Sequence, residues 1–547
     1  MNPKKIALLV VLVLLALIVG FLIGNFSSNK SLSRIPIFKK GNKIDLLLDI
    51  INEEYVDDVD MKSMLESAIT KIVDELDPHS NYIPVDNLEI LNENMDGHFT
   101  GVGINYIFHL DTLVINSVLP GGPAEQAGLL AGDRIVAIDE TSIAGNHFPE
   151  EKIPEIIHGK VGTTVKLSIV RVGVDDLKEY TIVRSYVPVT SVKTAFEVAE
   201  GIGIIKIYDT FTNTTYDEFI RAMAILLNKG CKSFIIDLRM NKGGSFDAAV
   251  QICNEFLSKG KTIVYIEGKS FLREYVTANG LGTLQDKQMV ILMDQLSASA
   301  SEIIAGAIQD NDRGLVIGRR SFGKGLVQNQ IELSDGSAVR LTTARYFTPS
   351  GRNIQRRYEM GKTDEYNQEW FDRLSAGEGL YKDSIVLDTT HIYTTLNGRE
   401  VYGGGGIMPD IFVPLDTAEL TSYFLYMESK GIFYQYAFEF SDANRSLLKT
   451  FTNSDDMLQY LKKQVSLYDV VQFAETKGIK RRSSLINISA NHIMNMTYAH
   501  ILLNFFGEEA YFSLILSNDP LVKRAVEEIQ KGNTIPVAIA NMTYKGE

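Results

Sequence analysis

Cysteine is almost missing from this chain: Cys231 and Cys253 are the two among 547 residues. That count rules out a disulfide framework, and both positions read as buried small hydrophobes. Eight histidines are scattered along the chain, and no Cys/His group has metal-ligand spacing. No metal and no cofactor is therefore expected. Basic residues are in deficit, with 54 Lys and Arg against 68 Asp and Glu and a formal net charge of -14. Without a long basic run to offset it, that balance argues against a general nucleic-acid binder. No Gly-x-Ser-x-Gly elbow occurs, so a Ser-His-Asp hydrolase has no sequence cue here.

What is present begins with an apolar run. Met1-Asn-Pro-Lys4-Lys5 precedes residues 6–23, which carry no charge. The run is long enough to cross a bilayer, and the basic end before it is expected to stay cytoplasmic. No small-x-small cleavage site follows, so an uncleaved signal anchor over 1–27 is expected, with a polar and basic linker over 28–42. At this length the chain should hold about two to four domains.

From Ile44 to Leu76 apolar residues recur at helical spacing, with a break at Val56-Asp-Asp-Val-Asp60 and closing turn chemistry at Asp77-Pro-His79-Ser-Asn-Tyr-Ile-Pro84. Residues 97–187 carry short strand-like runs. Among them are Gly101-Val-Gly-Ile-Asn-Tyr106, Thr112-Leu-Val-Ile-Asn-Ser-Val118 and Val165-Lys-Leu-Ser-Ile-Val170. Residues 188–415 read as α/β. A strand at Phe234-Ile-Ile-Asp237-Leu-Arg239 ends in Asn241-Lys242-Gly243-Gly244, and a helix follows over 246–257. Residues 356–394 are charged and aromatic and read as a surface insertion. From 416 to 547 the pattern is helical, and Asp519-Pro520 is a good cap and first turn for a helix stopped by Gly532.

The chemistry gathers between residues 289 and 328. Met289-Val-Ile-Leu-Met293 is followed by Ser297-Ala-Ser299-Ala-Ser301, a helical stretch to Asp310, then Leu315-Val-Ile317 and Gly318-Arg-Arg-Ser-Phe322-Gly-Lys324-Gly-Leu-Val-Gln328. Strand, turn, helix, strand, loop is the order this implies. It places Ser299 at a helix N-terminus, where free N–H groups favour negative charge. A serine needs a base to attack a carbonyl at neutral pH, and a lysine serves when burial lowers its pKa. Taken singly, Ser299-Ala-Ser-Glu302 is also a capping box, and Lys324 could be a solvated charge.

Together these segments resemble the signature of the carboxyl-terminal processing, or tail-specific, proteases, over roughly residues 43–414. The resemblance implies a membrane-anchored, PDZ-containing Ser-Lys endopeptidase of the bacterial inner membrane, its catalytic part in the periplasm, acting on protein or peptide C-termini. By position, Ser299 would be the nucleophile, Lys324 the base and Gln328 the residue holding the base. Gly243 or Gly244 with Ala300 would form the oxyanion hole, and Gly101, Val102, Gly103 and Ile104 the carboxylate-binding loop. Asp237, Arg239 and Asp310 are expected in structural ion pairs. His158 stands where many relatives carry an arginine, and Lys242 where a proline is common.

The implied fold class is α/β. An N-terminal transmembrane helix (1–27) and linker (28–42) lead to a helical arm (43–96), a β-rich PDZ domain (97–187) and a crotonase/ClpP-like protease core (188–415), with a helical C-terminal region (416–547) last. For that last region packing against the core is the default, with an oligomer contact or an adaptor dock as alternatives. A PDZ scaffold with a silent core is the competing class. It would show the loss of a member of the Ser-Lys-Gln set, and none is missing. An acyl-CoA enzyme on the same architecture would need carboxylate acid/bases in their place.

Overall fold

The computed structural model describes residues 43–109, 111–270 and 272–535. The expected anchor and linker lie outside the described residues. Among the described ones, no helix is long and apolar enough to cross a membrane. Two compact units divide between Ile69 and Thr70. The first includes the helix Lys43–Glu54, none of whose residues is buried.

The second unit is built on a six-stranded sheet. Its strands are Val192–Ala199, Ile202–Ile207, Ser233–Asp237, Gln288–Met293, Leu315–Gly318 and Ile411–Phe412, side by side in that order. The first is antiparallel to its neighbour and the rest are parallel. Every residue of Ile202–Ile207 and of Ser233–Asp237 is buried, as expected of strands covered on both faces. One face is covered by the helices Thr215–Asn228, Phe246–Phe256 and Ala300–Asp310, through Phe219, Ile252 and Ile304 among others.

The other face decides the role of the chain's end. Leu521, Val522, Ala525 and Ile529 of the helix Pro520–Gln530 pack on Ile204, Ile235, Val290 and Ile317. The expected cap is observed: Asp519 accepts the N–H groups of Leu521 and Val522 at 2.8 and 3.2 Å. The rest of the C-terminal region has its own apolar core, from Tyr423 to Ala510. The helical stretch Ala490–Ser517 bends at Gly507 (φ 73°, ψ −167°) and carries the chain from that core back to the sheet, where Leu516 is buried.

A second sheet lies beside the first. Its long strand Ala338–Phe347 pairs with Leu326–Glu332 on one edge, and with Asn81–Ile83 and Thr262–Gly268 on the other. Residues 104–183 form a separate sheet, in the order Ile104–His109, Thr112–Val118, Arg134–Ile138, Thr164–Val170, Lys178–Val183. It closes over Leu113, Ile135, Leu167 and the short helix Ile153–Ile157. The helical region touches this domain: Arg134 pairs with Asp442 at 2.5 Å, and the His109 ring meets Phe438 edge-on at 5.4 Å.

Candidate active site

Three serines compete at the turn after Gln288–Met293, and their hydrogen bonds separate them. Ser297 is fully buried; its hydroxyl donates to the Leu238 carbonyl (2.9 Å) and accepts the Asp294 N–H (2.9 Å). Ser301 is also buried and donates to Asn241 Oδ1 at 2.8 Å. Ser299 is half-buried and forms a capping box with Glu302, and among the described residues its hydroxyl donates to no carbonyl or carboxylate. Its backbone (φ 54°, ψ −112°) is in a region that side chains other than glycine rarely adopt. Such strain costs roughly 1–3 kcal/mol and persists only where the surroundings impose it. The strained residue is the N-cap of the helix Ala300–Asp310.

Glu302 ties this turn to the loop that carries Lys324. Its buried carboxylate accepts the N–H groups of Ser299 (2.8 Å), Gly323 (2.8 Å) and Lys324 (2.9 Å), and the Ser321 hydroxyl. Burial pushes this carboxyl up to about 7 against the pull of those four donors. A second tie comes from Tyr346, whose hydroxyl lies within hydrogen-bonding distance of the carbonyls of both Ser299 and Lys324. The sequence offered Glu302 only as a helix-cap partner and Tyr346 only within 341–355, read as a loop rimming the site; Tyr346 lies on the strand Ala338–Phe347, and neither of its partners is near it in the chain.

Lys324 is half-buried, and burial first, then the positive charge of Arg340, holds its amine below the usual lysine range; Asp77 and Glu302 pull the other way. Lys324 Nζ donates to Gln328 Oε1 at 2.8 Å, and Gln328 Nε2 donates to the His79 carbonyl. Expected as a turn residue, His79 also places its ring beside Tyr366, with Nε2 3.1 Å from the Tyr366 hydroxyl. The tract 356–394, expected as a surface insertion, is partly interior: Tyr366 and Arg356 are buried. Arg356 lies over the rings of Tyr366 (3.9 Å) and Phe322 (4.4 Å), so this tract backs the lysine loop. Its charged residues hid that contact, since a guanidinium stacked between rings looks like surface in a sequence.

The glycine segment meets Ser299 directly. Gly243 (φ +97°) is so close that a Cβ there would lie 2.6 Å from Ser299 Cβ and 3.0 Å from Ala300 N. Its N–H is donated to Asn241 Oδ1 at 2.9 Å. Ser245 N–H is donated to Phe211 O at 2.8 Å, so by strand alternation the Gly244 N–H faces away from that neighbour. Asp237, Arg239 and Asp310 are in buried ion pairs: Asp237 with Arg239 (2.7 Å) and Lys206 (3.3 Å), and Asp310 with Arg352 (2.6 Å). Lys242 is exposed and pairs with Asp209.

In the smaller β domain, Val102 and Gly103 connect the strand His98–Gly101 to the strand Ile104–His109, so Gly101 and Ile104 are strand ends. The carbonyls of Val102 and Gly103 accept the N–H groups of Ala124 (2.8 Å) and Leu119 (2.9 Å), and Gly103 has φ +82°. The strand they lead into lies at the edge of its sheet. A free edge beside a backbone loop is the arrangement that takes up an extended peptide. His158 ends the helix Ile153–Ile157. The two last carbonyls of that helix are covered by Arg184, which donates to Ile156 O and Ile157 O at 2.8 Å each.

Three family models match the chain: peptidase family S41 over 201–365, the PDZ domain over 114–171, and a family of unknown function, DUF8443, over 423–507. The chain is 36% identical over 314 residues to a carboxy-terminal-processing protease of Bartonella bacilliformis, covering 56% of this chain and 71% of that protein. It is 34% identical to a probable CtpA-like serine protease of Staphylococcus haemolyticus, covering 57% of this chain and 62% of that one. Among solved structures, a photosystem II D1 C-terminal processing protease is 26% identical, with 69% of this chain and 88% of that chain covered and a TM-score of 0.36. The chain, a mixed α/β protein with a PDZ domain and a helical C-terminal region, belongs to peptidase family S41, among the carboxy-terminal-processing serine proteases.

Proposed function

We propose that this protein captures the free C-terminus of a polypeptide in its PDZ groove and cleaves the tail with Ser299 as nucleophile and Lys324 as base. The observation that carries the reading is a serine at a helix N-terminus whose hydroxyl proton is donated to no group among the described residues, joined through Glu302 and Tyr346 to the loop of a half-buried lysine. A neutral Lys324 Nζ donates one N–H to Gln328 Oε1 and keeps its lone pair for the Ser299 hydroxyl. As Ser299 Oγ bonds to the scissile carbonyl carbon, its proton passes to Nζ and the carbonyl electrons move onto oxygen. Collapse breaks the C–N bond, and the leaving amine takes the proton from Lys324. Water then releases the acyl group by the same exchange.

The oxyanion is assigned to the N–H groups of Ala300 and Gly244, because the Gly243 N–H is engaged by Asn241. Loss of one such donor costs about 10²–10³ in rate. The uncharged run 6–23 behind a basic N-terminus supports a bacterial inner-membrane anchor with the protease in the periplasm.

The test uses a reporter protein ending in an apolar tail, either free or amidated at its C-terminus. Ser299→Ala and Lys324→Ala should each abolish cleavage while a fluorescent tail peptide still binds. Parent-level cleavage by either variant rejects the dyad, and equal cleavage of the amidated reporter rejects C-terminal capture.

A further inference from the structure

We propose that the turn Asp77-Pro78-His79-Ser80 belongs to the base of this enzyme: its His79 carbonyl orients the Gln328 amide, and that amide holds Lys324 Nζ. The inference rests on the Ser-Lys reading above and adds a positioning element from the segment before the PDZ domain.

A glutamine amide has a donor end and an acceptor end, and it can present either to a neighbour. Only the oxygen can accept a hydrogen bond from an amine. Gln328 meets that requirement because its Nε2 is committed to a backbone carbonyl, which accepts and never donates. With that end fixed, Oε1 faces Lys324 Nζ at 2.8 Å. Flipping the amide would lose both bonds at once.

The carbonyl is itself held by a closed set of bonds. Asp77 Oδ1 accepts the N–H groups of His79 and Ser80 at 2.9 Å each, and Asp77 Oδ2 accepts the Ser80 hydroxyl at 2.6 Å. Thr342 joins in twice: its hydroxyl donates to Asp77 Oδ1 (3.1 Å), and its N–H donates to Ser80 Oγ (3.0 Å). Thr342 is also the register partner of Gln328 across the pair Leu326–Glu332 and Ala338–Phe347. One residue therefore fixes the turn and faces the glutamine that the turn orients. Asp77 and Ser80 are 6% and 4% exposed, so water does not compete for these bonds. The Tyr366 hydroxyl, 3.1 Å from His79 Nε2, steadies the other side of the residue.

A purely structural turn would weaken the whole fold, whereas a positioning turn acts on kcat through Gln328. Because the Asp77 charge also raises the Lys324 pKa directly, the rates are compared on the pH-independent plateau of each variant. The two differ in a double-mutant cycle measured on reporter cleavage. Asp77→Ala should lower kcat by about 10- to 100-fold, the scale of a misplaced catalytic group, with KM unchanged. Asp77→Asn, which keeps an acceptor, should recover most of the rate. In a Gln328→Ala background, Asp77→Ala should add nothing. Parent kcat in Asp77→Ala or in Gln328→Ala overturns the proposal, as does a loss that multiplies in the double variant. Should Asp77→Ala fail to fold by circular dichroism, Thr342→Val carries the same expectations, because it removes the hydroxyl on Asp77 and keeps the shape. Parent activity in Lys324→Ala would instead reject the Ser-Lys reading, and the proposal with it.

Discussion

Arg239 Nη1 and Asp519 Oδ2 lie 2.7 Å apart, although 280 residues separate them in the chain. Arg239 is held by Asp237 at the end of a core strand, two residues before Asn241–Gly244, which, expected as a tight turn, forms a short strand paired with Asp209–Phe211. Asp519 caps the helix that covers the far face of the sheet. The last helix and the glycine segment beside Ser299 are thus joined through one guanidinium. Asp519→Ala should lower the melting temperature, since a lost cap costs about 0.5–2 kcal/mol. It also leaves Arg239, whose side chain is 10% exposed, with one carboxylate instead of two. Activity should fall at temperatures where the fold remains intact. Thermal unfolding and cleavage measured on the same samples check both, and an unchanged melting temperature contradicts the coupling.

Gly243→Ala should abolish cleavage. A methyl group there would meet Ser299 Cβ and the backbone at Ala298 O (2.8 Å), and neither is a flexible side-chain end. Peptide binding at Gly101–Ile104 should survive, because the glycine segment makes no part of the PDZ core. Steady-state cleavage and peptide anisotropy separate the two effects; a variant that cleaves normally removes the close approach from the argument.

Arg340→Gln should move the acid limb of the pH–rate profile to higher pH. The neutral form of Lys324 is the reactive one, so activity rises with pH through its pKa. Burial and the Arg340 charge both lower that pKa. Removing the charge lets it climb towards the ordinary lysine range. His79 is pushed down to about 4, mainly by burial, and stays neutral across this limb. Glu302, raised to about 7, also lowers activity on the acid side, so the profile is fitted with two groups. If neither limb moves in Arg340→Gln, or the shift is to lower pH, Lys324 is not the titrating base.

Glu302→Gln should be inactive although it is nearly isosteric. Four donors converge on the two carboxylate oxygens, and an amide would turn an NH₂ group against two of them. Leaving buried donors unmet costs about 1–3 kcal/mol each. In the parent, protonation of Glu302 as pH falls below about 7 should loosen the same bonds and reduce activity. Linkage has the opposite sign: a carboxyl raised from 4.5 to about 7 contributes stability at low pH and loses it as pH rises across that window. Activity and melting temperature followed over pH 4.5–7 in parent and variant would show whether the two trends diverge and whether the variant lacks both.

Arg134→Glu should free the PDZ domain from the helical region, and Arg134→Glu with Asp442→Arg should restore the contact. The pair is 2.5 Å apart, and Arg445 packs against Gly132 beside it. Hydrogen exchange over residues 112–118 and 432–443 should rise in the single variant and return in the double one. No change in either rules out the ion pair as the link.

Much of this architecture is written locally. The helix Thr215–Asn228, the break between the helices Lys43–Glu54 and Met61–Asp74, and the Asp519 cap each follow from signals within a few residues. Family membership rests on motif spacing of the same short range. The C-terminal region shows the limit: its helical pattern was readable, but not its division at Gly507 into a separate apolar core and a return helix on the sheet. Periodicity reports that a face is apolar and not which surface covers it.

The chain alone, then, determined the order of elements, the resemblance to carboxyl-terminal processing proteases with a PDZ domain, and the residue types offered to the chemistry, because propensity, capping and motif spacing act over a few neighbouring residues. Only the folded structure decided that Glu302 and Tyr346 join the serine turn to the lysine loop, and that Arg356 lies between Tyr366 and Phe322. It alone placed the carbonyl of His79 against Gln328. Those contacts join segments tens to hundreds of residues apart, and several run through backbone atoms that every residue carries, so no side-chain pattern along the chain announces them.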